Sequence, residues 1–132
     1  MMQPGEYYVG DLCYVLHDEW DEVCRLIIVD NQCLDGEFVL ADGRRFAIYG
    51  TRYGDGTYQD LDGRDYSVDA GSIGCIRMTD IDLANPRNFL QGGNIIDFPH
   101  AFQTSEHNGT IRFGSVSINT ADADEFEYED EE

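Results

Sequence analysis

Asn108-Gly109-Thr110-Ile111-Arg112-Phe113-Gly114-Ser115-Val116-Ser117-Ile118 is the stretch that decides the fold class. An Asn-Gly step tolerates the positive φ angles of a tight hairpin turn. Behind it Ile111 and Phe113 alternate with polar residues, the period of a strand with one buried face. By the same parity Val116 and Ile118 fall on the opposite face, so the phase flips at Gly114. That flip predicts a bulge or sharp bend at the glycine.

Four more Asx-Gly steps precede this one, at Asp35-Gly36, Asp42-Gly43, Asp55-Gly56 and Asp62-Gly63. Phe46 and Ile48 alternate after the second of them, and Tyr66 and Val68 after the fourth. Hairpins in series follow. The expected class is α+β and mainly antiparallel β: a hairpin-rich sheet, sandwich or partial barrel with one N-terminal amphipathic helix. That helix is expected over about residues 18 to 29, because Trp20, Val23, Cys24 and Ile27 recur at the spacing of one helical stripe. Acidic residues 18, 19, 21 and 22 suit its first turn, Asp18 is the expected N-cap, and Asp30-Asn31 the expected stop. Trp20 should point inward. A further helical turn is expected after Asn85-Pro86, ended by Gly92-Gly93.

Charge is the other strong signal. Among 132 residues, 27 are acidic and 8 basic, all of the latter arginine, for a net charge of −19. Such a field repels phosphate backbones and anionic lipid and attracts cationic proteins, which excludes direct nucleic-acid binding as the expected activity. Residues 121–132 hold eight of the acidic residues and read as a solvated acidic tail, leaving 1–120 as a single β-rich domain. Those remaining residues still carry −11 of the −19, so the acidity belongs to the domain as well. A protein adapted to high salt would have the same composition. No run approaches the roughly 20 apolar residues of a membrane span. The opening MMQPGEYYVG has no basic and apolar leader pattern, so the expected location is the host-cell cytoplasm or a virion.

The aspartate-rich segment from Tyr53 to Gly71 offers Asp55, Asp60, Asp62 and Asp69 as oxygen ligands for a divalent cation, or as the carboxylates of a metal-dependent hydrolase. An EF-hand frame with Gly63 at the sharp turn fails, because its first ligand position falls on Tyr58. Solvated hairpin ends are the expected state, with no cofactor. Cys13 and His17 suggest a thiol and base, but no third residue orients them; His100 and His107 read as loop residues. The four cysteines, Cys13, Cys24, Cys33 and Cys75, form no CxxC pair and read as small buried hydrophobes, with a disulfide as the alternative. Tyr53, Tyr58, Tyr66, Phe126 and Tyr128 are the candidate partner-binding aromatics, because tyrosine supplies contact area at low entropic cost.

Gly10-Asp11-Leu12-Cys13-Tyr14-Val15 with Trp20, Gly54-Asp55-Gly56-x-Tyr58, and Val68-Asp69-Ala70-Gly71 together resemble motifs of small uncharacterised tailed-phage proteins. They are distantly similar to a bacterial Gly-Asp-Gly family of unknown function. The likeness spans roughly residues 5 to 78, and Leu12 stands where those proteins carry proline. It implies a phage-related origin, a β-rich fold, an opening strand through this motif and no assigned activity. Charge and aromatics then point first to a non-enzymatic accessory protein that binds a basic host or virion protein, in one version as a nucleic-acid mimic. The alternatives are a small-molecule-binding β domain, a structural virion component and the metal-dependent hydrolase.

Overall fold

The run Ser72-Ile73-Gly74-Cys75-Ile76 carries no charge, and both of its faces are buried in the computed structural model, which describes residues 1–121. It forms most of β8 (Ser72–Arg77), the middle of a five-stranded antiparallel sheet. Beside β8 lie β1 (Gly5–Gly10) and β5 (Arg45–Gly50); β9 (Asn94–Phe98) and β4 (Gly36–Val39) are the edges, in the order β4-β5-β8-β1-β9. Two short hairpins stand apart, β2 (Ile28–Val29) with β3 (Gln32–Cys33), and β6 (Gly56–Gln59) with β7 (Asp65–Val68). A three-stranded sheet follows, made of β10 (Thr104–His107), β11 (Thr110–Phe113) and β12 (Val116–Asn119). The chain is thus mainly antiparallel β with one α-helix, α1 (Trp20–Ile27), and no sheet closes into a barrel among the described residues.

Alternation along the central strands sends side chains to two cores. On one face Tyr8, Phe46, Ile48 and Ile76 pack against Leu12, Val15, Leu16, Val23 and Ile27 of the N-terminal segment and α1. On the other, Tyr7, Val9, Tyr49, Ile73 and Cys75 meet Tyr58, Tyr66 and Val68 from the β6–β7 hairpin and Ile111, Phe113, Val116 and Ile118 from the last sheet. Removing one such side chain from water contributes roughly 1.5–3 kcal/mol.

Three of the five Asx-Gly steps are hairpin tips. Asp42-Gly43 links β4 to β5, Asp62-Gly63 links β6 to β7, and Asn108-Gly109, with φ of 53° and 89°, links β10 to β11. The other two are not, because the strands on either side of them do not pair with each other; Gly36 and Gly56 instead open β4 and β6 at φ of 135° and 150°. Gly114 is a hairpin turn and not a bulge. Ile111 pairs with Ile118 and Phe113 with Val116, so the phase flips because the chain reverses direction, and all four side chains reach one core.

The helix also departs from its expected limits. It begins at Trp20, with Glu19 as N-cap and no side-chain capping bond. Asp18 is drawn away to accept from Asn85 Nδ2 at 2.8 Å and Arg87 Nη2 at 3.0 Å. Asp30-Asn31 (φ 54° and 66°) turns the β2–β3 hairpin, since the helix has already ended at Ile27. Trp20 is only half-buried, because the inward positions of so short a helix are taken by Val23 and Ile27. Cys13 lies in a 3-10 turn (Leu12–Tyr14) and not a strand, as Asp11 caps that turn through Cys13 N. After Asn85-Pro86 the chain makes turns only; the other 3-10 turn is Met78–Asp80.

Gly74 sits where no side chain fits: a Cβ there would press on the Ala47 carbonyl oxygen and lie 2.8 Å from Leu12 Cδ1. Gly74→Ala should therefore cost about 1–3 kcal/mol in urea unfolding, the scale of overpacking. Gly50→Ala in the same sheet, whose Cβ would meet nothing closer than 3.8 Å, should stay within about 0.5 kcal/mol of wild type.

Candidate functional site

Two buried carboxylates organise the segments that the motifs share. Asp11 has no exposed surface, and its Oδ1 accepts from Cys13 N at 3.1 Å. Its Oδ2 accepts from Asp69 N at 2.6 Å and Ala70 N at 2.7 Å. The Gly10-Asp11 and Val68-Asp69-Ala70-Gly71 motifs are therefore two sides of one hydrogen-bonded joint. Beside it Tyr14 donates to Asp69 Oδ2 at 2.6 Å and rests on Phe89, ring centres 5.2 Å apart. That bond to a carboxylate, then burial, raises the pKa of the Tyr14 hydroxyl. Burial, reinforced by Asp11, pushes the Cys13 thiol up to about 12, so it stays protonated at neutral pH. His17 turns its Nδ1 toward Asp18 at 3.3 Å.

Asp60 is the second organiser. Its carboxylate accepts from Asp62 N (2.9 Å), Arg64 N (3.0 Å), Arg64 Nη1 (2.7 Å) and the Tyr66 hydroxyl (2.7 Å). Burial works against the charge, but these four donors outweigh it and hold the pKa below the usual aspartate range. With its oxygens so committed, Asp60 is a turn-building residue and not an open metal ligand. Asp62 is exposed at the hairpin tip, 3.4 Å from Arg64. Asp55 and Asp69 lie at the other end of the hairpin, on a shallow polar groove with Thr57 and Ser67. The four aspartates thus divide between opposite ends of β6–β7. Among the described residues no three His, Cys, Asp or Glu side chains converge on a metal position.

The aromatic candidates divide as well. Tyr58 and Tyr66 face each other across β6 and β7 and are 2% and 0% exposed. Their rings belong to the core, and their hydroxyls are held by the Gly54 carbonyl (2.8 Å) and by Asp60, so they present no docking surface. Tyr53 is exposed. Phe126 and Tyr128 lie outside the described residues, as does the acidic tail from residue 122.

What the sequence did not announce is a cavity of about 150 Å³ between α1 and the β2–β3 hairpin, walled by Trp20, Cys24, Ile27, Cys33, Leu34 and Asp35. It is mostly apolar, and a space near 150 Å³ accommodates one small ring or one apolar side chain. Ile28 and Leu34 are exposed apolar residues along its rim. Two acidic groups lie beside it. Asp35 lines it and binds Gly50 N at 3.0 Å; Asp21 lies close enough to raise the Cys24 thiol pKa, after burial and ahead of Cys33. The cysteines are correspondingly unequal, for only Cys75 is a buried hydrophobe, while Cys13 and Cys24 are half-buried and Cys33 is exposed. The signal for the cavity was the helical stripe itself, in which Trp20 and Cys24 extend beyond what the core can cover.

Compared with protein-family models, curated proteins and solved structures, the chain matches none.

Because Asp60 titrates lower when folded than when unfolded, its bonds stabilise the fold above the ordinary aspartate pKa. That contribution is lost as pH falls through the folded value. Near neutral pH, Asp60→Asn should cost about 1.5–3 kcal/mol, the scale of a hydrogen bond to a charged group. The difference between the two proteins in urea midpoint should shrink on acidification; a constant difference would show that Asp60 does not titrate with folding.

Proposed function

We propose that the protein acts stoichiometrically, as a phage-type accessory protein that binds a basic host or virion protein. The observation that carries this reading is where the few cations go. Arg44 is taken by Glu19 (2.8 Å) and Asp42 (2.7 Å), Arg64 by Asp60 (2.7 Å), Arg87 by Asp18 (3.0 Å) and Arg45 by Glu37 (3.3 Å). Among the described residues, Arg44, Arg45, Arg64 and Arg87 are thus neutralised within the chain, while many carboxylates, Asp21, Asp30, Asp35 and Asp62 among them, face solvent. An uncompensated negative surface accelerates the approach of a basic partner.

The cavity beside α1 supplies an anchor for such a partner. An apolar side chain fits between Trp20 and Leu34, and lysines or arginines flanking it on the partner meet Asp35 at the wall and Asp21 near Cys24. A small apolar ligand in the same cavity is the second reading, and its size favours one ring. Carboxylates that occupy a phosphate-binding groove, as in a nucleic-acid mimic, are the most specific form of the first reading.

Exposed charges are screened beyond about 8 Å at physiological ionic strength. Association with the partner should therefore slow steeply with added salt, and Asp21→Asn with Asp35→Asn should slow it further at low salt. Leu34→Ala should chiefly speed dissociation. Titration against the partner's activity should saturate at a fixed molar ratio. Turnover of a substrate at substoichiometric protein would overturn the reading, and binding indifferent to salt and to both aspartates would remove its electrostatic basis.

A further inference from the structure

Cys24 stands in the last turn of α1, and the chain passes without a break from that helix into β2. Ile28 N–H donates to the Cys24 carbonyl as the helix closes, and Ile28 is the residue directly opposite Cys33 in the hairpin. Residues so paired lie about 4.5–5.5 Å apart and project to one side of the strands. A further bond, from Leu34 N–H to the Ile27 carbonyl at 2.6 Å, holds the returning strand against the helix end. Cys24 and Cys33 consequently wall the same small cavity. The other two cysteines lie elsewhere: Cys75 is enclosed in the central sheet and Cys13 sits in the Asp11 joint.

We propose that Cys24 and Cys33 are a modification site, a thiol pair that closes into a disulfide by exchange with a low-molecular-weight disulfide of the glutathione type. This proposal does not depend on the partner-binding reading. Cys33 is exposed and is the point of entry; Cys24 is half-covered and is the resolving thiol. Cys33 gives its proton to solvent and its sulfur attacks one sulfur of the small disulfide. That S–S bond breaks, a mixed disulfide forms on Cys33, and the first small thiolate leaves and takes a proton from water. Cys24 then loses its proton and its sulfur attacks the Cys33 sulfur, releasing the second small thiol. Two protein thiols are oxidised, and one small disulfide is reduced to two thiols. The product ties the β2–β3 hairpin to α1 and fills the cavity mouth between Trp20 and Leu34. A bridge between positions nine apart closes a short loop.

The test uses the full, reduced chain under native conditions with oxidised glutathione as the probe, read by intact mass, peptide mapping and the emission of Trp20, the single tryptophan. The expected product is lighter than the reduced chain by two hydrogen atoms and contains a Cys24–Cys33 linked peptide, with Cys13 and Cys75 still reduced. Trp20 emission should fall as the bridge forms, since a disulfide quenches a neighbouring indole, and dithiothreitol should restore it. Cys24→Ser should instead accumulate a stable glutathione adduct on Cys33. Cys33→Ser should leave Cys24 unmodified over the time in which wild type closes. A persistent Cys33 adduct in wild type, a linkage to Cys13 or between chains, or no reaction at either thiol would each overturn the proposal.

Discussion

The buried Asp11 carboxylate ties the end of β1 to the turn between β7 and β8 through three backbone N–H groups, and both layers of the molecule depend on that joint. On one side it closes the 3-10 turn that launches Leu12, Val15 and Leu16 into the helix-side core. On the other it positions the chain as it leaves Val68 and enters β8, the strand at the middle of the sheet. A carboxyl group in such a place is tolerated because each donor is a fixed backbone amide that itself needs an acceptor. Asp60 solves the same problem at the opposite end of the β6–β7 hairpin with two amides, a guanidinium and a phenol.

These joints explain why an aspartate-rich segment need not be a metal site. Aspartate is short, tolerates turns and accepts from backbone amides, so a fold built from many tight connections recruits it for geometry. The remaining acidic residues are a different population. They face solvent, while arginines that might balance them are bound within the chain, as Arg44 is between Glu19 and Asp42. Structural and surface carboxylates thus have separate physical roles despite one composition.

The helix side links fold to binding. A helix of eight residues covers only part of the sheet face, with Val23 and Ile27 reaching the core. The hairpin that follows it completes a wall without sealing the gap, and Trp20, Cys24, Cys33 and Leu34 line what remains. An incomplete cover of this kind leaves apolar surface beside acidic groups, a suitable place for a basic partner with one apolar anchor.

Local chemistry made much of the fold legible in the sequence. Asn108-Gly109 and Asp62-Gly63 specify turns through φ angles that few residues adopt, and the alternation of Phe46 with Ile48 or Ile111 with Phe113 specifies strands through their period. The net charge follows from composition alone. Position in space was not legible, because it depends on which strands pair. Sequence parity placed Ile111 and Ile118 on opposite faces until the reversal at Gly114 put them opposite each other on one. The tyrosines were legible as strand residues, but the burial of Tyr58 and Tyr66 depends on the central sheet packed against them. Nothing in the spacing of Asp11 and Asp69 joins them, nor does that of Cys24 and Cys33 imply a shared cavity. The sequence by itself determined turns, strand periods, one helical stripe and an acidic surface, all set by interactions within a few residues. The two cores, the Asp11 joint and the cavity beside α1 were decided by tertiary structure, because each requires packing between segments that the chain brings together only on folding.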